Sequence, residues 1–170
     1  WAHLHMYMYL KRYKEGKGKH WTEDEERKTF IGLMGQKIFD IMLQQLAVPK
    51  DHNDPVIDWR LEKNYDFKIP ELGTVEVKCF DYWCKKVLIK LDEWHGNDYC
   101  VIFQFGDEHP SEVYMMGWLI KEQVESLPIS RKGEHYTPIA SAYITNFDRL
   151  NPSNKFIKML ERCSLCESKT

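Results

Sequence analysis

The first regular hydrophobic pattern lies in the N-terminal third of the chain. Apolar residues recur at helical spacing between Phe30 and Leu46. Thr22 stands directly before four consecutive acidic residues, which suits a helix N-cap and a first turn that complements the helix dipole. Because proline disfavours a helical conformation in the residue before it, Pro49 marks the end of the segment. The pattern therefore predicts one long helix from Thr22 to about Ala47.

Two glycines interrupt the pattern of this predicted helix. Gly32 and Gly35 are about one turn apart and so lie on one face. Glycine inside a helix costs about 1 kcal/mol of stability relative to alanine. We therefore expect this face to approach another backbone closely.

The hydrophobic period changes to two after Val56. Apolar and charged residues alternate over residues 65–69 and again over residues 75–79. The sequence between them, residues 70–73, contains Pro and Gly and is typical of a turn. The two runs therefore predict a β-hairpin with one apolar face and one charged face.

Further strand patterns follow, and the chain ends on a helix pattern. Strands are predicted at residues 87–91, 100–105, 113–119 and 136–144. The second of these is apolar except for Gln104 and is typical of a buried central strand, whereas Pro138 places the last at a sheet edge. Residues 121–126 predict a short helix, and a final helix is indicated by Phe156, Met159, Leu160 and Cys163. This order predicts an α/β fold with a central mixed β-sheet flanked by helices.

Length and composition fit one globular domain of 170 residues with a net charge of -2. We divide the chain into an aromatic and basic arm at residues 1–21 and a domain at residues 22–170. The chain opens at Trp1, which fits an excised or processed protein with further residues upstream. The arm carries Lys11, Arg12, Lys14, Lys17 and Lys19, and it fits either a solvated segment or a strap that contacts phosphates.

The sequence also indicates where the protein works. No apolar run approaches the ~20 residues that span a bilayer, and the first residues do not resemble a signal peptide. Five cysteines is an odd number, which favours free thiols in a reducing, intracellular compartment such as the cytoplasm. We predict no membrane association, and the small net charge argues against a protein that coats nucleic acid.

The predicted hairpin contains the strongest candidates for catalytic and metal-binding residues. In a register that places Asp66 opposite Glu76, the two carboxylates share a face, and Lys78 projects from that face as well. Magnesium takes oxygen ligands and is often held by one or two carboxylates and by phosphate oxygens. Asp66 and Glu76 are therefore candidate ligands of Mg²⁺ or Mn²⁺, and the peptide oxygen of Val77 is a candidate third ligand. Lys78 would assist the attacking water and stabilise developing negative charge.

The residues Tyr65-Asp66-Phe67, a short turn and Val75-Glu76-Val77-Lys78 resemble the PD-(D/E)XK nuclease superfamily. The resemblance implies a restriction-endonuclease-like fold and metal-dependent cleavage of phosphodiester bonds, with DNA favoured over RNA as the partner. Many members carry a glutamate after a small residue on the preceding helix, and Gly35-Gln36 stands at that place. Gln36 is therefore a further candidate at the catalytic site, although it supplies no charge. Many such nucleases cut duplexes as homodimers, and internal and terminal cutting both stay open.

Two competing hypotheses remain. A catalytically degenerate module that binds nucleic acid or protein would share the fold, and Gln36 in place of an acid favours it. Alternatively, Glu76 and Lys78 form only a surface ion pair of an unrelated enzyme, which predicts that Asp66 lies far from Glu76.

Several other residues also fit simpler structural roles. Asp58 is a second candidate acid, Glu26 is attributed to helix-dipole chemistry, and Cys163 and Cys166 fit free thiols better than half of a metal site completed by Cys79 and Cys84. His95 is assigned to an exposed turn. The candidates for nucleic-acid contact are Trp83, Trp94, Trp118, Lys85, Lys86 and Lys90.

Overall fold

The computed structural model describes residues 22–53, 64–106, 112–131 and 141–166, together with Lys11 and Glu15. The predictions made for the rest of the arm and for Asp58 lie outside the described residues, as does the side chain of Cys166. Within the described ranges, no helix is both long enough and apolar enough to cross a bilayer.

The described elements are helices and strands in mixed order. The helices are α1 (Glu23–Gln45), α2 (Lys121–Glu125) and α3 (Ser153–Cys166), with a short 3-10 helix at Phe147–Arg149. The strands are β1 (Asp51–His52), β2 (Phe67–Ile69), β3 (Gly73–Phe80), β4 (Lys86–Lys90), β5 (Tyr99–Phe105), β6 (Val113–Ile120), β7 (Ile129–Ser130) and β8 (Ala142–Asn146). The two-residue strands β1 and β7 and the 3-10 helix were not predicted from the sequence.

The strands form two sheets. The larger has the order β1-β2-β3-β5-β6 and is mixed, because β3 and β5 are parallel and the other neighbours are antiparallel. The smaller has the order β4-β8-β7 and is antiparallel. The predicted mixed α/β class is therefore confirmed. Strand β8 lies in the centre of the small sheet, so its predicted edge position is wrong.

Helix α1 begins and ends close to its predicted limits. The Thr22 hydroxyl accepts a hydrogen bond from the Glu25 N–H at 3.3 Å, and the Glu25 carboxylate accepts one from the Thr22 N–H at 2.9 Å. This reciprocal capping box satisfies two backbone donors that a helix start leaves without partners. The helix ends at Gln45, and Ala47 then adopts a positive φ of 51°.

The two faces of the larger sheet are covered differently. One face packs on α1 and α3, with Phe39, Leu43, Phe156 and Leu160 fully buried against strand residues such as Val75. The other face is covered by the small sheet and α2, in a second core that contains Val87, Ile89, Cys100, Ile102, Leu119 and Val124. Helices therefore flank the larger sheet mainly on one side. The strand predicted at residues 87–91 exists as β4, but it belongs to this covering sheet.

Gly35, but not Gly32, lies at a close approach between α1 and the larger sheet. A Cβ atom added at Gly35 would stand 2.5 Å from the Cβ of Cys79 on β3, whereas at Gly32 nothing lies within 4 Å. The predicted close approach is thus correct for one of the two glycines. Its consequence is that α1 lies near enough to β3 for a helix side chain to reach the strand edge.

We expect Gly35→Ala to destabilise the fold and Gly32→Ala to stabilise it. The first forces β3 away from α1, which costs about 1–3 kcal/mol as in other overpacked cores. The second gains up to about 1 kcal/mol of helix propensity without a clash. Urea unfolding of both variants measures the difference, and equal effects at the two positions would contradict the close packing of Gly35.

A buried acid network ties β1 to α1. Asp40 is 4% exposed and forms ion pairs with Lys50 and, at 3.1 Å, with Lys37. Burial disfavours the charged form of Asp40, but the hydrogen bonds from the two lysines outweigh this and lower its pKa. The His52 ring stacks on Phe67 with 4.2 Å between centroids. Together these contacts fix the end of β1, and with it Asn53, beside the start of β2.

Candidate active site

The β2–β3 hairpin adopts the register predicted from its sequence. Phe67 pairs with Val75 and Ile69 with Gly73, and the Asp66 N–H donates to the Val75 carbonyl at 3.1 Å. Continuing this register by one residue places Asp66 opposite Glu76. The two carboxylates therefore meet at the point where β2 begins.

Glu76 and Lys78 project from the face of β3 that the small sheet covers. Their neighbours Val75 and Val77 point into the core beneath α1, because side chains alternate along a strand. Glu76 is only 8% exposed, and the Lys78 ammonium contacts its carboxylate at 2.8 Å. This is a buried pair, so the hypothesis of a surface ion pair remote from Asp66 is wrong.

Asp66 is held by the backbone of β3 and by a side chain of α1. One carboxylate oxygen accepts the Val77 N–H at 2.7 Å, and the other accepts the Gln36 side-chain amide at 2.7 Å. Gln36 reaches this position because α1 lies close to β3 at Gly35. The N–H and C=O of one strand residue point to the same edge, so the Val77 oxygen is directed toward the Asp66 side of β3.

The loop after β4 closes the site from the other side. Glu93 lies 3.5 Å from the Lys78 ammonium, and the buried Asn97 donates to Glu76 at 3.3 Å. The loop is anchored at Asp98, whose carboxylate accepts hydrogen bonds from the Thr74 N–H and hydroxyl at 2.8 and 2.9 Å. These contacts fix the surroundings of Glu76 and Lys78.

The resulting cavity has a volume of about 270 Å³. It is lined by Asn53, Tyr65, Asp66, Glu76, Lys78, Asp92, Glu93 and His95. The predicted Asp66, Glu76 and Lys78 thus share one cavity, and His95 is exposed as expected. Asn53 and the loop residues around Glu93 were missed, because only the tertiary fold brings them to the hairpin. For the loop residues around Glu93, the only signal in the sequence was the polar turn that follows residues 87–91.

The cavity has less positive charge than its carboxylates need for neutralisation. Asp66 keeps some exposed surface, but its carboxylate is surrounded by protein atoms, and burial together with Glu76 raises its pKa to about 8. Burial also opposes the charge of Lys78, but the contact with Glu76 outweighs it and raises the pKa of the ammonium. Lys78 therefore stays charged and neutralises Glu76, whereas no described cation forms an ion pair with Asp66.

Two amide oxygens add to the oxygen-rich character of the site. The side-chain oxygens of Gln36 and Asn53 are buried and have no hydrogen-bond partner among the described residues. A hard cation takes carboxylate and amide oxygens as ligands, so this donor set fits one. Among the described residues, however, no group of three His, Cys, Asp or Glu side chains is placed to hold a metal. Any ion here would depend on two carboxylates supplemented by amide, peptide or water oxygens.

The described cysteines do not assemble into a second site. Cys79, Cys84, Cys100 and Cys163 form no disulfide with one another, and Cys163 is buried in the core beneath α3. Burial raises the pKa of the Cys79 thiol to about 12, so it stays protonated and suits packing rather than metal binding. The prediction that Cys163 and Cys166 do not bind a metal stays a prediction, because the side chain of Cys166 lies outside the described residues.

The other candidates are dispersed. Trp118 packs on Phe156 in the core, and Trp94 donates to Glu125 at 3.4 Å. Trp83 is half exposed, with the Arg27 guanidinium 4.4 Å above its ring. Of the lysines predicted to contact the nucleic-acid backbone, Lys90 forms an ion pair with Glu93 beside the cavity.

No family model, curated protein or solved structure matches the chain.

Proposed function

We propose that this chain is a metal-dependent nuclease that hydrolyses phosphodiester bonds of nucleic acid, with DNA favoured over RNA. The observation that carries the proposal is the meeting of Asp66 and Glu76 across the hairpin, with Lys78 on the same side of β3 and all three in one cavity. Two carboxylates and a lysine in this arrangement suit the handling of a phosphate group, because the acids hold a cation and the ammonium complements negative charge.

In this proposal Asp66 and Glu76 hold Mg²⁺ or Mn²⁺, with the Val77 oxygen as a further ligand. When bound, the ion supplies Lewis-acid chemistry that activates water and offsets charge on the phosphate. The raised pKa of Asp66 supports the assignment, since the carboxylate is buried beside a second acid and forms no ion pair with a described cation. The unpartnered oxygens of Gln36 and Asn53 are additional donors of the type that such an ion takes.

Lys78 acts as a charged donor in this proposal rather than as a base. Its ammonium contacts Glu76 at 2.8 Å and Glu93 at 3.5 Å, and its raised pKa keeps it protonated near neutral pH. A protonated amine cannot accept a proton from water. Lys78 therefore orients the attacking water and stabilises the negative charge that develops on the phosphate.

The resemblance to the PD-(D/E)XK superfamily is part of the proposal. It is supported by the antiparallel hairpin that carries the two acids, the parallel neighbour β5 and the long helix beside them. Gln36 provides additional support, because it reaches Asp66 from the helix position at which the resemblance implies a site residue. We therefore propose a restriction-endonuclease-like architecture and assign Gln36 to the site as a positioning residue for Asp66.

A second candidate is a degenerate module of the same architecture that binds nucleic acid or protein without cleaving. Gln36 favours it, because an amide stands where an acid would strengthen cation binding. The shortage of acidic ligands in the described part of the site points the same way. This candidate predicts binding without cleavage.

The proposal is tested by incubating the protein with plasmid, linear duplex, single-stranded DNA and RNA in Mg²⁺, Mn²⁺ or EDTA. We expect cleavage of at least one substrate with either ion and none in EDTA. The products would show whether cutting is internal or terminal. Binding of a substrate without cleavage in either ion would favour the degenerate module, and cleavage that persists in EDTA would contradict the assigned site.

A further inference from the structure

A second concave surface lies on the small sheet, away from the cavity described above. It is an open groove of about 330 Å³. Lys86, Ser130, Ile144, Asn146 and Arg149 contribute to its lining. We call it the Lys86–Arg149 groove. Its two cationic residues lie beside polar and apolar ones, which suits a ligand with both an anionic and a less polar part.

The two cations of the groove have no acidic partner in the part of the chain that the structure describes. Neither Lys86 nor Arg149 forms an ion pair with any residue in the described ranges, whereas Lys90 on the same strand pairs with Glu93 and Arg27 pairs with Asp81. Both cations line the same groove and so repel each other, and an anion bound between them removes that repulsion. The groove therefore has the charge to bind an anionic ligand.

The groove is built on ordered structure rather than on a free loop. Lys86 pairs with Asn146 across β4 and β8. The loop that leads into Lys86 is fixed by the Gln104 side-chain amide, which donates to the carbonyls of Asp81 and Cys84 at 3.1 and 2.8 Å. The 3-10 helix that carries Arg149 is anchored where Phe147 meets Phe80 edge to face, with 6.0 Å between centroids.

We infer that the Lys86–Arg149 groove binds backbone phosphates of a nucleic acid at a distance from the bond that is cleaved. The identity of the ligand rests on the proposed function. An open groove with two cations suits a repeating polyanion, since an extended backbone presents successive phosphates. The alternative occupant, an acidic peptide, carries less closely spaced charge and lacks the sugar and base surface that the apolar lining could contact.

The length of β4 separates the groove from the end of the strand that lies beside the reactive cavity. Lys86 and Lys90 are at opposite ends of β4, about 13 Å apart at the usual rise per strand residue. Lys90 contacts Glu93, which lies 3.5 Å from Lys78 in the reactive cavity. Since a duplex rises 3.4 Å per base pair, a duplex that follows β4 would span about four base pairs between the Lys90 end of the strand and the groove.

The test compares two double variants that each remove one lysine and one arginine. Lys86→Ala with Arg149→Ala empties the groove of charge, and Lys158→Ala with Arg162→Ala removes the same charges from exposed positions on α3. Binding of a fluorescent duplex of about 20 base pairs is measured by anisotropy in EDTA at several salt concentrations. We expect the groove variant to bind about tenfold more weakly, with a salt dependence smaller by about two phosphate contacts.

The outcomes separate this inference from the nuclease proposal, because binding is measured without cleavage. The inference would be overturned if the groove variant kept the wild-type affinity and salt dependence, even if the protein cleaves DNA. It would also be overturned if the groove variant and the α3 variant lost the same amount of DNA affinity. Absence of nucleic-acid binding by the wild type, or equal competition by polyglutamate, would also overturn it. Lys86→Gln with Arg149→Gln, checked by circular dichroism, provides a second variant should the alanine variant fold poorly.

Discussion

Replacing Lys78 with methionine is expected to slow phosphodiester cleavage by roughly 10²–10⁴-fold and to leave substrate binding nearly unchanged. Methionine keeps an unbranched stem in the cavity but removes the ammonium that contacts Glu76. The lost interaction with developing phosphate charge matters most in the transition state, so the rate falls more than the affinity. Single-turnover cleavage and anisotropy binding measure the two effects separately.

The matched control is Lys68→Met on the same hairpin. Lys68 is exposed on β2 and does not line the cavity. We expect it to cleave at the wild-type rate. Because Lys78→Met leaves Glu76 buried without its partner, thermal unfolding in Mg²⁺ must confirm that the variant is folded. Equal rates for wild type and folded Lys78→Met would rule out the assigned role of Lys78.

Replacing Asp66 with asparagine should abolish cleavage and yet stabilise the metal-free protein at pH 8. The pKa of Asp66 is raised from 3.8 to about 8 in the folded state, so folding favours its neutral form. The stability that this group contributes is fully present below about pH 4 and is lost as the pH rises toward 8. Each pH unit in that window costs the wild type at most about 1.4 kcal/mol, and the neutral asparagine avoids this cost.

The local geometry also suits asparagine at this position. The asparagine oxygen can accept the hydrogen bond from the Val77 N–H. Once the Gln36 amide has rotated, the asparagine amide can donate to the Gln36 oxygen, for which the described part of the wild type offers no partner. We therefore expect the stability advantage of Asp66→Asn over wild type to grow between pH 4 and pH 8 in EDTA. Added Mg²⁺ should reduce it, since the ion stabilises only the wild type.

Urea unfolding at several pH values, with and without Mg²⁺, measures this crossover. Glu71→Gln is the control, because Glu71 is exposed in the hairpin turn and its replacement should change neither the pH dependence nor the response to Mg²⁺. A stability difference between Asp66→Asn and wild type that is constant with pH would contradict the buried, unneutralised state of Asp66.

The sequence predicted the parts of this fold that depend on local patterns. The helix N-cap at Thr22, the approximate limits of α1 and the register of the β2–β3 hairpin follow from short-range signals, and all are found. Apolar periodicity likewise located α3 and the buried strand β5. These elements are specified by residues that are close together in the chain.

The errors concern contacts between elements. Strand β4 has the alternating burial expected of a strand. Its local sequence does not indicate that it belongs to the sheet that covers Glu76 and Lys78. Strand β8 was placed at an edge because of Pro138, although the described strand begins only at Ala142 and is paired on both sides. Gly32 and Gly35 look equivalent in the sequence, and only packing against Cys79 distinguishes them.

The residues of the candidate site likewise divide into those predictable from local sequence and those brought together only by tertiary contacts. Asp66, Glu76 and Lys78 could be grouped because one hairpin register determines their proximity. Asn53, which follows β1, and Glu93, in the loop after β4, line the cavity but could not be grouped with them, and neither could Asn97, which donates to Glu76 from the same loop.

The proposal that Asp66 and Glu76 form a divalent-cation site is tested by calorimetric titration of Mn²⁺ into the metal-free protein. We predict binding to the wild type and to the Glu71→Gln control, and loss of that binding in Asp66→Asn and in Glu76→Gln. Circular dichroism of each variant confirms that a lost signal reflects the site and not unfolding. Absence of binding to the wild type, or undiminished binding to folded Asp66→Asn, would contradict the proposed cation site and the nuclease chemistry built on it.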